Sequence, residues 1–324
     1  MHAIRLHAFG PPDHLVLEEV PDLRPGAGQV RVAVEASGVH LLDTSLRRGE
    51  GGPLPLPDLP TVPGREVAGV VDDVGPGTDA AWLGRRVVAH LGLVPGGYAE
   101  QAVTAAGSLF PVPDHVSFPD AVAAVGTGRT ALGVVELEPV SADDVVLVPS
   151  AAGGLGWLLV QSARASGATV VAAARGDRTA ALAPLGADLV VDYGEPGWED
   201  RVRDALGGVT VVYDGVGGAV GRACLELLRP GGRHVMFGFS AGAPTQVDTG
   251  DLVGRGLTAG WSLGPRMTAL PGGIPGLAAR ALDKVADGGW EPLVSTYPLA
   301  QAARAHADLE GRRALGKAVL VPGR

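Results

Sequence analysis

One stretch limits the fold more than any other: VVLVPSAAGGLGWLLVQSARASGATVVAAARGDR, Val145 to Arg178. A short apolar run, VVLV, leads into a turn of small residues. An apolar segment of helical length follows, stops at Gly167, and gives way to a second apolar run, ATVVAAA. Short apolar runs bounded by glycine read as buried strands, and a glycine just past a helical segment reads as its left-handed terminator. Strand, helix and strand at this spacing form a right-handed crossover between parallel strands. The pattern then repeats. DRTAALAPLG reads as a helix ending near Gly186, and DLVVDY, VTVVYDGVG and GGRHVMFG as strands. AVGRACLELLRPG (Ala219 to Gly231) reads as a helix, LTAGWSL as a strand and IPGLAARALDKVADG as a further helix. Such repeats build an α/β fold, a doubly wound parallel sheet covered by helices.

The first third has a different period. In QVRVAVEAS, Val30, Val32, Val34 and Ala36 alternate with Arg31, Ala33 and Glu35, the period of two of a half-buried strand. EVAGVVDDVG (Glu66 to Gly75) and RRVVAHL (Arg85 to Leu91) are further strands between Gly/Pro punctuation. GPLPLPDLPTVPG (Gly52 to Gly64) is too rich in proline for a helix or a central strand and reads as a long surface loop. The tail GKAVLVP returns to short-strand character.

Bulk properties exclude several classes. A net charge of −9 with no basic run gives the 324-residue chain no general attraction for nucleic acid or anionic lipid. The single cysteine, Cys224, rules out an internal disulfide or a multi-cysteine zinc site. MHAIRLHAFG lacks the apolar core of a secretory leader, and no uninterrupted apolar run approaches the ~20 residues of a membrane span. A cytoplasmic protein is expected.

The turn Ala151-Ala152-Gly153-Gly154-Leu155-Gly156 sits between a strand and a helix, where a dinucleotide fold brings backbone N–H groups and a helix N-terminus to a pyrophosphate. Gly153 and Gly156 hold the second and third glycine positions of that fingerprint, and Ala151 replaces the first. The end of the second strand is Ala174-Arg175, with Arg178 just beyond, where an NAD site carries an acid ~20 residues after the turn. Arginines there attract a 2′-phosphate, so the expected cofactor is NADP(H).

The chain resembles the zinc-independent, quinone-oxidoreductase branch of the medium-chain dehydrogenase/reductase superfamily. The motifs that carry the resemblance run through almost the whole chain. They are ASGVHLLDT (Ala36 to Thr44), VPGREVAGVV (Val62 to Val71), GGYAE (Gly96 to Glu100), TGRTAL (Thr127 to Leu132), SAAGGLG (Ser150 to Gly156), LGAD and VDY (Leu185 to Tyr193), YDGVGG (Tyr213 to Gly218), FGFSAG (Phe237 to Gly242) and LGKAVLVP (Leu315 to Pro322). The resemblance implies a GroES-like β-barrel catalytic domain from residues 1–120 and 290–324, a Rossmann NADP-binding domain from residues 121–289, an active site in the cleft, and a homodimer. It implies that Arg178 and Tyr193 contact the 2′-phosphate, that Phe237, Gly238 and Ser240 lie along the nicotinamide half, that Thr130 faces the nicotinamide, and that Lys317 closes over it.

The alcohol dehydrogenase branch has a cysteine where this chain has His40 and a histidine where it has Arg65. Arginine stays protonated and is a poor ligand, and one histidine does not make a three-ligand catalytic zinc site, so no metal is expected. Without a Lewis acid, the acceptor must already be electrophilic: an α,β-unsaturated carbonyl or a quinone, with oriented donors stabilising the oxygen on which charge develops. His40 is the candidate donor. Asp43 is expected to orient this segment or Arg47. The stretch after it, DTSLRRGEGG, reads as a loop, with Ser45 and Gly51 where quinone oxidoreductases carry tyrosines. Two other readings stay open: an NADPH-binding redox sensor or structural protein with little turnover, and an enoyl reductase acting on carrier-bound acyl chains.

Overall fold

The structure is a computed structural model that describes residues 1–51, 55–92 and 95–323. Its contacts divide the chain into two compact units. One is Met1–Thr127 together with the chain from Ala278 onward, and the other is Gly128–Leu277. These divisions fall at 127/128 and 277/278, where the sequence places them at 120/121 and 289/290. The second shift has a physical cause. The helix Gly273–Ala286 spans the division, and its Ala278 and Leu282 share a core with Ala36, Val122 and Val319 of the first unit.

The Gly128–Leu277 unit carries the expected parallel sheet. Six strands run in the order Leu189–Asp192, Thr169–Ala174, Val145–Val148, Val209–Asp214, Leu228–Met236, Thr258–Trp261, and all pairings are parallel. This is the order 3-2-1-4-5-6 of a dinucleotide-binding sheet, whose ligand end lies where the order reverses after the first strand. Val146, Leu147, Val170, Val171, Val211 and Val212 are fully buried, as strands covered on both faces require. The helix after the first strand is Gly154–Ala165, and it stops as expected, with Gly167 at φ 80°.

Two of the helices read from the sequence in this unit take a different form. Gly176–Leu185 is a 3₁₀ helix rather than an α-helix. Pro184 near its end has no N–H to give and crowds the carbonyl one α-turn back. The helix expected over 219–231 spans only Gly218–Glu226, because the next strand begins at Leu228, opposite Val209. Pro230 cannot continue a helix and is accommodated where the strand register shifts.

In the other unit the long strand Gln29–Val39 is central. Glu66–Val74 pairs antiparallel along one edge. Gln101–Ala105 pairs with its first half, and the C-terminal strand Lys317–Val321 pairs with its end, Ala318 opposite Val39. Arg86–His90 extends the sheet beyond Glu66–Val74, and Val294–Pro298 runs parallel to Lys317–Val321. The segment read as a loop after Asp43 is instead a helix, Leu41–Arg48, ended by Gly49 in the left-handed conformation. The first residues of the proline-rich loop, 52–54, lie outside the described residues. From Pro55 to Gly64 it forms no strand beyond a bridge between Leu6 and Thr61.

Candidate functional site

In the parallel-sheet unit, the turn after Val145–Val148 is closed by Gly153 N donating to Ser150 O at 2.9 Å. Ala151 and Ala152 are buried, and Arg312 is the one non-glycine residue with positive φ among the described residues. The turn therefore needs no left-handed residue at Ala151, and a methyl fits where the fingerprint has its first glycine. Gly156 has no such freedom. A Cβ there would overlap the Ser150 carbonyl. Gly153 is extended (φ −93°, ψ 164°), and no side chain caps the helix that begins at Gly154. The N–H groups of Gly154 and Leu155 thus open the helix at the turn, an arrangement suited to a phosphate.

Arg178 is half-buried, and its Nη2 donates to the carbonyl oxygen of Ala152 at 3.0 Å. Tyr193 N donates to Ala174 O at 3.0 Å, and the Tyr193 ring packs against the core that holds Trp198. Arg175 is exposed and its chain lies beside Gly194. Ala174, Arg175 and Tyr193 therefore gather at the ends of two paired strands, with Arg178 tied back to the glycine turn. Sequence reasoning missed one acid in this group. Asp192 ends the neighbouring strand, and its carboxylate accepts from Gly176 N at 2.9 Å and Gly194 N at 2.7 Å.

Phe237 is buried against Gly215, where a side chain would collide with its ring. Gly238 passes close to the Gly215 carbonyl, and Ser240 N donates to Gly215 O at 3.1 Å. Asp214 anchors this region: its carboxylate accepts from Val216 N, Gly217 N, Thr245 Oγ1 and the His234 ring. Burial pushes the Asp214 carboxyl up, but these donors outweigh it and hold it below its ordinary value. Thr130 is half-buried in the first turn of helix Arg129–Leu137.

In the antiparallel unit, three strand ends bring together residues far apart in sequence. His40 follows the strand Gln29–Val39, Glu66 begins the neighbour on one side, and Lys317 begins the neighbour on the other. Lys317 Nζ lies 2.9 Å from Glu66 Oε2 and 2.9 Å from His40 Nε2. Glu66 Oε1 contacts the same His40 Nε2. Gly38 and Gly126 wall the carboxylate, and a Cβ at either would overlap it. Gly126 belongs to a single π-helical turn, Ala123–Gly128, an irregularity frequent at functional sites. Burial pushes the Glu66 carboxyl up, but His40, Lys317 and His90 outweigh it and hold it well below the usual carboxylate range. The His40 side chain keeps 28% of its surface exposed, against 1% for Glu66 and 4% for Lys317.

Asp43 organises the adjoining chain. It accepts from His40 N at 2.8 Å and from Tyr98 OH at 3.1 Å, and it pairs with Arg65 at 3.5 Å. It orients the segment as expected but does not hold Arg47, which instead pairs with Glu310. Tyr98 OH also meets His306 Nε2 at 3.1 Å. Burial raises the Tyr98 hydroxyl well above its ordinary value, with Asp43 adding to the effect, and burial lowers His306 to about 4. Beside this network lies a cavity of about 380 Å³, lined by Leu46, Leu56, Thr61 and Pro95 with Asp43 and Arg65. Glu66, Tyr98 and His306 were not identified from the sequence. The available signal was a charged or polar residue bordering an apolar run, as in EVAGVV, which does not say what it will meet.

Residues 26–114 match the alcohol dehydrogenase GroES-like domain, and residues 154–274 match the zinc-binding dehydrogenase family. A 2-haloacrylate reductase of Burkholderia sp is 34% identical over 330 residues, covering 98% of each chain. The crystal structure of Escherichia coli quinone oxidoreductase complexed with NADPH superposes with a TM-score of 0.84 at 29% identity, over 99% of this chain and 100% of that one. The chain belongs to the quinone oxidoreductase-like branch of the medium-chain dehydrogenase/reductase superfamily. A second solved structure, a mycobacterial protein complexed with NADPH, gives a TM-score of 0.85 at 36% identity over 99% of this chain and 100% of that one. In this quinone oxidoreductase-like protein, the antiparallel unit is the GroES-like part and the parallel sheet is the Rossmann part.

Proposed function

We propose that the protein is an NADPH-dependent reductase that transfers hydride to an activated small-molecule acceptor, an α,β-unsaturated carbonyl or a quinone. The observation that carries the cofactor choice is the bond from Arg178 to the Ala152 carbonyl, which holds a guanidinium beside a glycine turn built to admit phosphates. The uncapped helix start, the close approach of the helix to the turn at Gly156 and the two arginines suit a dinucleotide bearing a 2′-phosphate. The relatives' names, a 2-haloacrylate reductase and a quinone oxidoreductase, both describe reduction of an electron-poor acceptor.

When bound, the cofactor supplies the hydride. Gly154 and Leu155 would hold the pyrophosphate by their N–H groups, and Arg175, Arg178 and Tyr193 would hold the 2′-phosphate. Thr130, Phe237, Gly238 and Ser240 would lie along the nicotinamide half. His40 hydrogen-bonds the acceptor's carbonyl oxygen as negative charge develops there, and Asp43 fixes the His40 backbone. The reaction runs without zinc. Arg65 occupies the position of a ligand and is committed to Asp43, and Cys224 is buried within the Rossmann core. The protein works as a cytoplasmic homodimer. Among the described residues no helix is long and apolar enough to cross a membrane.

The test is NADPH oxidation followed with a panel of enones, acrylates and quinones. Turnover well above the cofactor's background oxidation is expected with at least one class. Stoichiometric binding of NADPH with no turnover across the panel would favour a sensor or structural role instead.

A further inference from the structure

His40 Nε2 lies within bonding distance of two opposite partners, the Glu66 carboxylate and the Lys317 ammonium. A ring nitrogen carries either a proton or a lone pair. It donates to Glu66 or accepts from Lys317, and does one at a time. The choice fixes the other end of the ring. With Nε2–H on Glu66, a neutral ring leaves Nδ1 bare. With Lys317 donating to Nε2, Nδ1 carries the proton. Glu66 and Lys317 are both buried, so the exposed part of this cluster is the imidazole. Neither partner touches Nδ1, the nitrogen left for a ligand.

We propose that Lys317 and Glu66 are positioning residues that set which nitrogen of His40 holds the proton and resupply it during turnover. The inference rests on the reductase reading, and it names the proton source that reading requires. As the acceptor gains hydride at its β-carbon, the electron pair moves onto the carbonyl oxygen. His40 Nδ1–H gives its proton to the acceptor, and Lys317 Nζ gives one to Nε2 in the same relay. One N–H bond breaks and one forms on the ring, leaving imidazole with its proton on Nε2 and a neutral Lys317 amine. After product leaves, solvent protonates Nδ1 and Nε2 returns its proton to the Lys317 amine, restoring the starting tautomer. The sum is acceptor, NADPH and one proton going to saturated product and NADP+. Glu66 stays ionised throughout and keeps the ammonium at 2.9 Å. The charged groups that bear on the ring are Glu66 and Lys317 directly, Asp43 through the His40 N–H, Arg65 through Asp43, and His90 across from Glu66.

The tautomer is measured first, in the cofactor-free protein. Histidine is labelled with nitrogen-15 and His40 is assigned by its loss in His40→Asn. In Lys317→Met only Glu66 remains, and the proton should sit on Nε2. In Glu66→Gln the ammonium remains, and the balance should move to Nδ1. The same tautomer in both variants overturns the proposal. Turnover supplies the second readout. Lys317→Arg keeps the cation and the ion pair but cannot release a proton below about pH 12. It should lower kcat by about tenfold or more, with KM and NADPH affinity within twofold, and should flatten the alkaline limb of the kcat profile. An arginine variant with wild-type kcat and wild-type pH profile overturns the relay even if the tautomers differ. Absence of wild-type turnover with every acceptor would sink the reductase reading and the relay's second step, whereas the tautomer comparison still decides whether Lys317 and Glu66 control the ring.

Discussion

Arg178 Nη2 and the carbonyl oxygen of Ala152 are 3.0 Å apart, across 26 residues of chain. The bond ties an arginine that could recognise a 2′-phosphate to the turn that would hold the pyrophosphate. It pre-orders a long side chain whose immobilisation would otherwise weaken binding.

Cofactor choice should follow from this. Arg178→Ala should raise the Michaelis constant for NADPH about tenfold or more and leave that for NADH nearly unchanged. Arg175→Ala added to it should remove most of the preference. Asp192 lies at the end of the adjacent strand, so Asp192→Asn should strengthen NADPH binding modestly, at some cost to the turn it braces. Specificity constants for both cofactors check this. Equal use of NADH and NADPH by the unmodified protein would show that the arginines are ordinary surface groups.

His40→Ala should reduce kcat by about 10²-fold while NADPH affinity stays within a few-fold, because the contact matters as charge develops on the acceptor. Fluorescence titration separates the two. If turnover holds across pH, His40 has a structural role only.

Gly156→Ala should abolish tight cofactor binding and lower the melting temperature. The added methyl overlaps the Ser150 carbonyl, and relief requires moving the helix off the turn. Gly153→Ala, whose Cβ would sit 3.3 Å from the same oxygen, should be far milder. Comparable effects from both would mean the turn is softer than its geometry implies.

Metal should be dispensable. Activity is expected to survive prolonged chelation, and elemental analysis should find no stoichiometric zinc. Activity lost to a chelator and restored by zinc would contradict the arrangement in which Arg65 is tied to Asp43.

Stability should fall on mild acidification through His306. Burial lowers its folded pKa to about 4, below the ordinary histidine value. The unfolded chain therefore binds the extra proton first, and the neutral ring stabilises the fold fully above about pH 6.5, with the advantage lost as pH falls toward 4. Between pH 7 and 5 that amounts to about 2 kcal/mol. Urea midpoints at the two values measure it, and His306→Gln should flatten the difference. Glu66 acts in a lower window, its contribution lost only as pH drops through its depressed value.

The sequence by itself determined the Rossmann sheet, the glycine turn and the cluster of Ala174, Arg175, Arg178 and Tyr193. Ala174, Arg175 and Arg178 are set by local spacing, and Tyr193 by the resemblance. A strand must be buried, a glycine must stand where a Cβ has no room, and the ends of two adjacent strands must meet because their registers pair. Why Ala151 is acceptable in the glycine turn was decided by the structure, in which the turn needs no positive φ at that residue. The helix Leu41–Arg48 was not legible, since DTSLRRGEGG has too few apolar residues to display a helical period, and its cap, Asp43 on His40 N, is a contact rather than a pattern. Tertiary structure alone decided the union of His40, Glu66 and Lys317. Sequence separations of 26 and 277 residues vanish because three strand ends lie side by side, and a buried carboxylate is tolerated only where the cations that neutralise it arrive from elsewhere in the chain. No window of sequence contains both charges, so no local reading could have paired them.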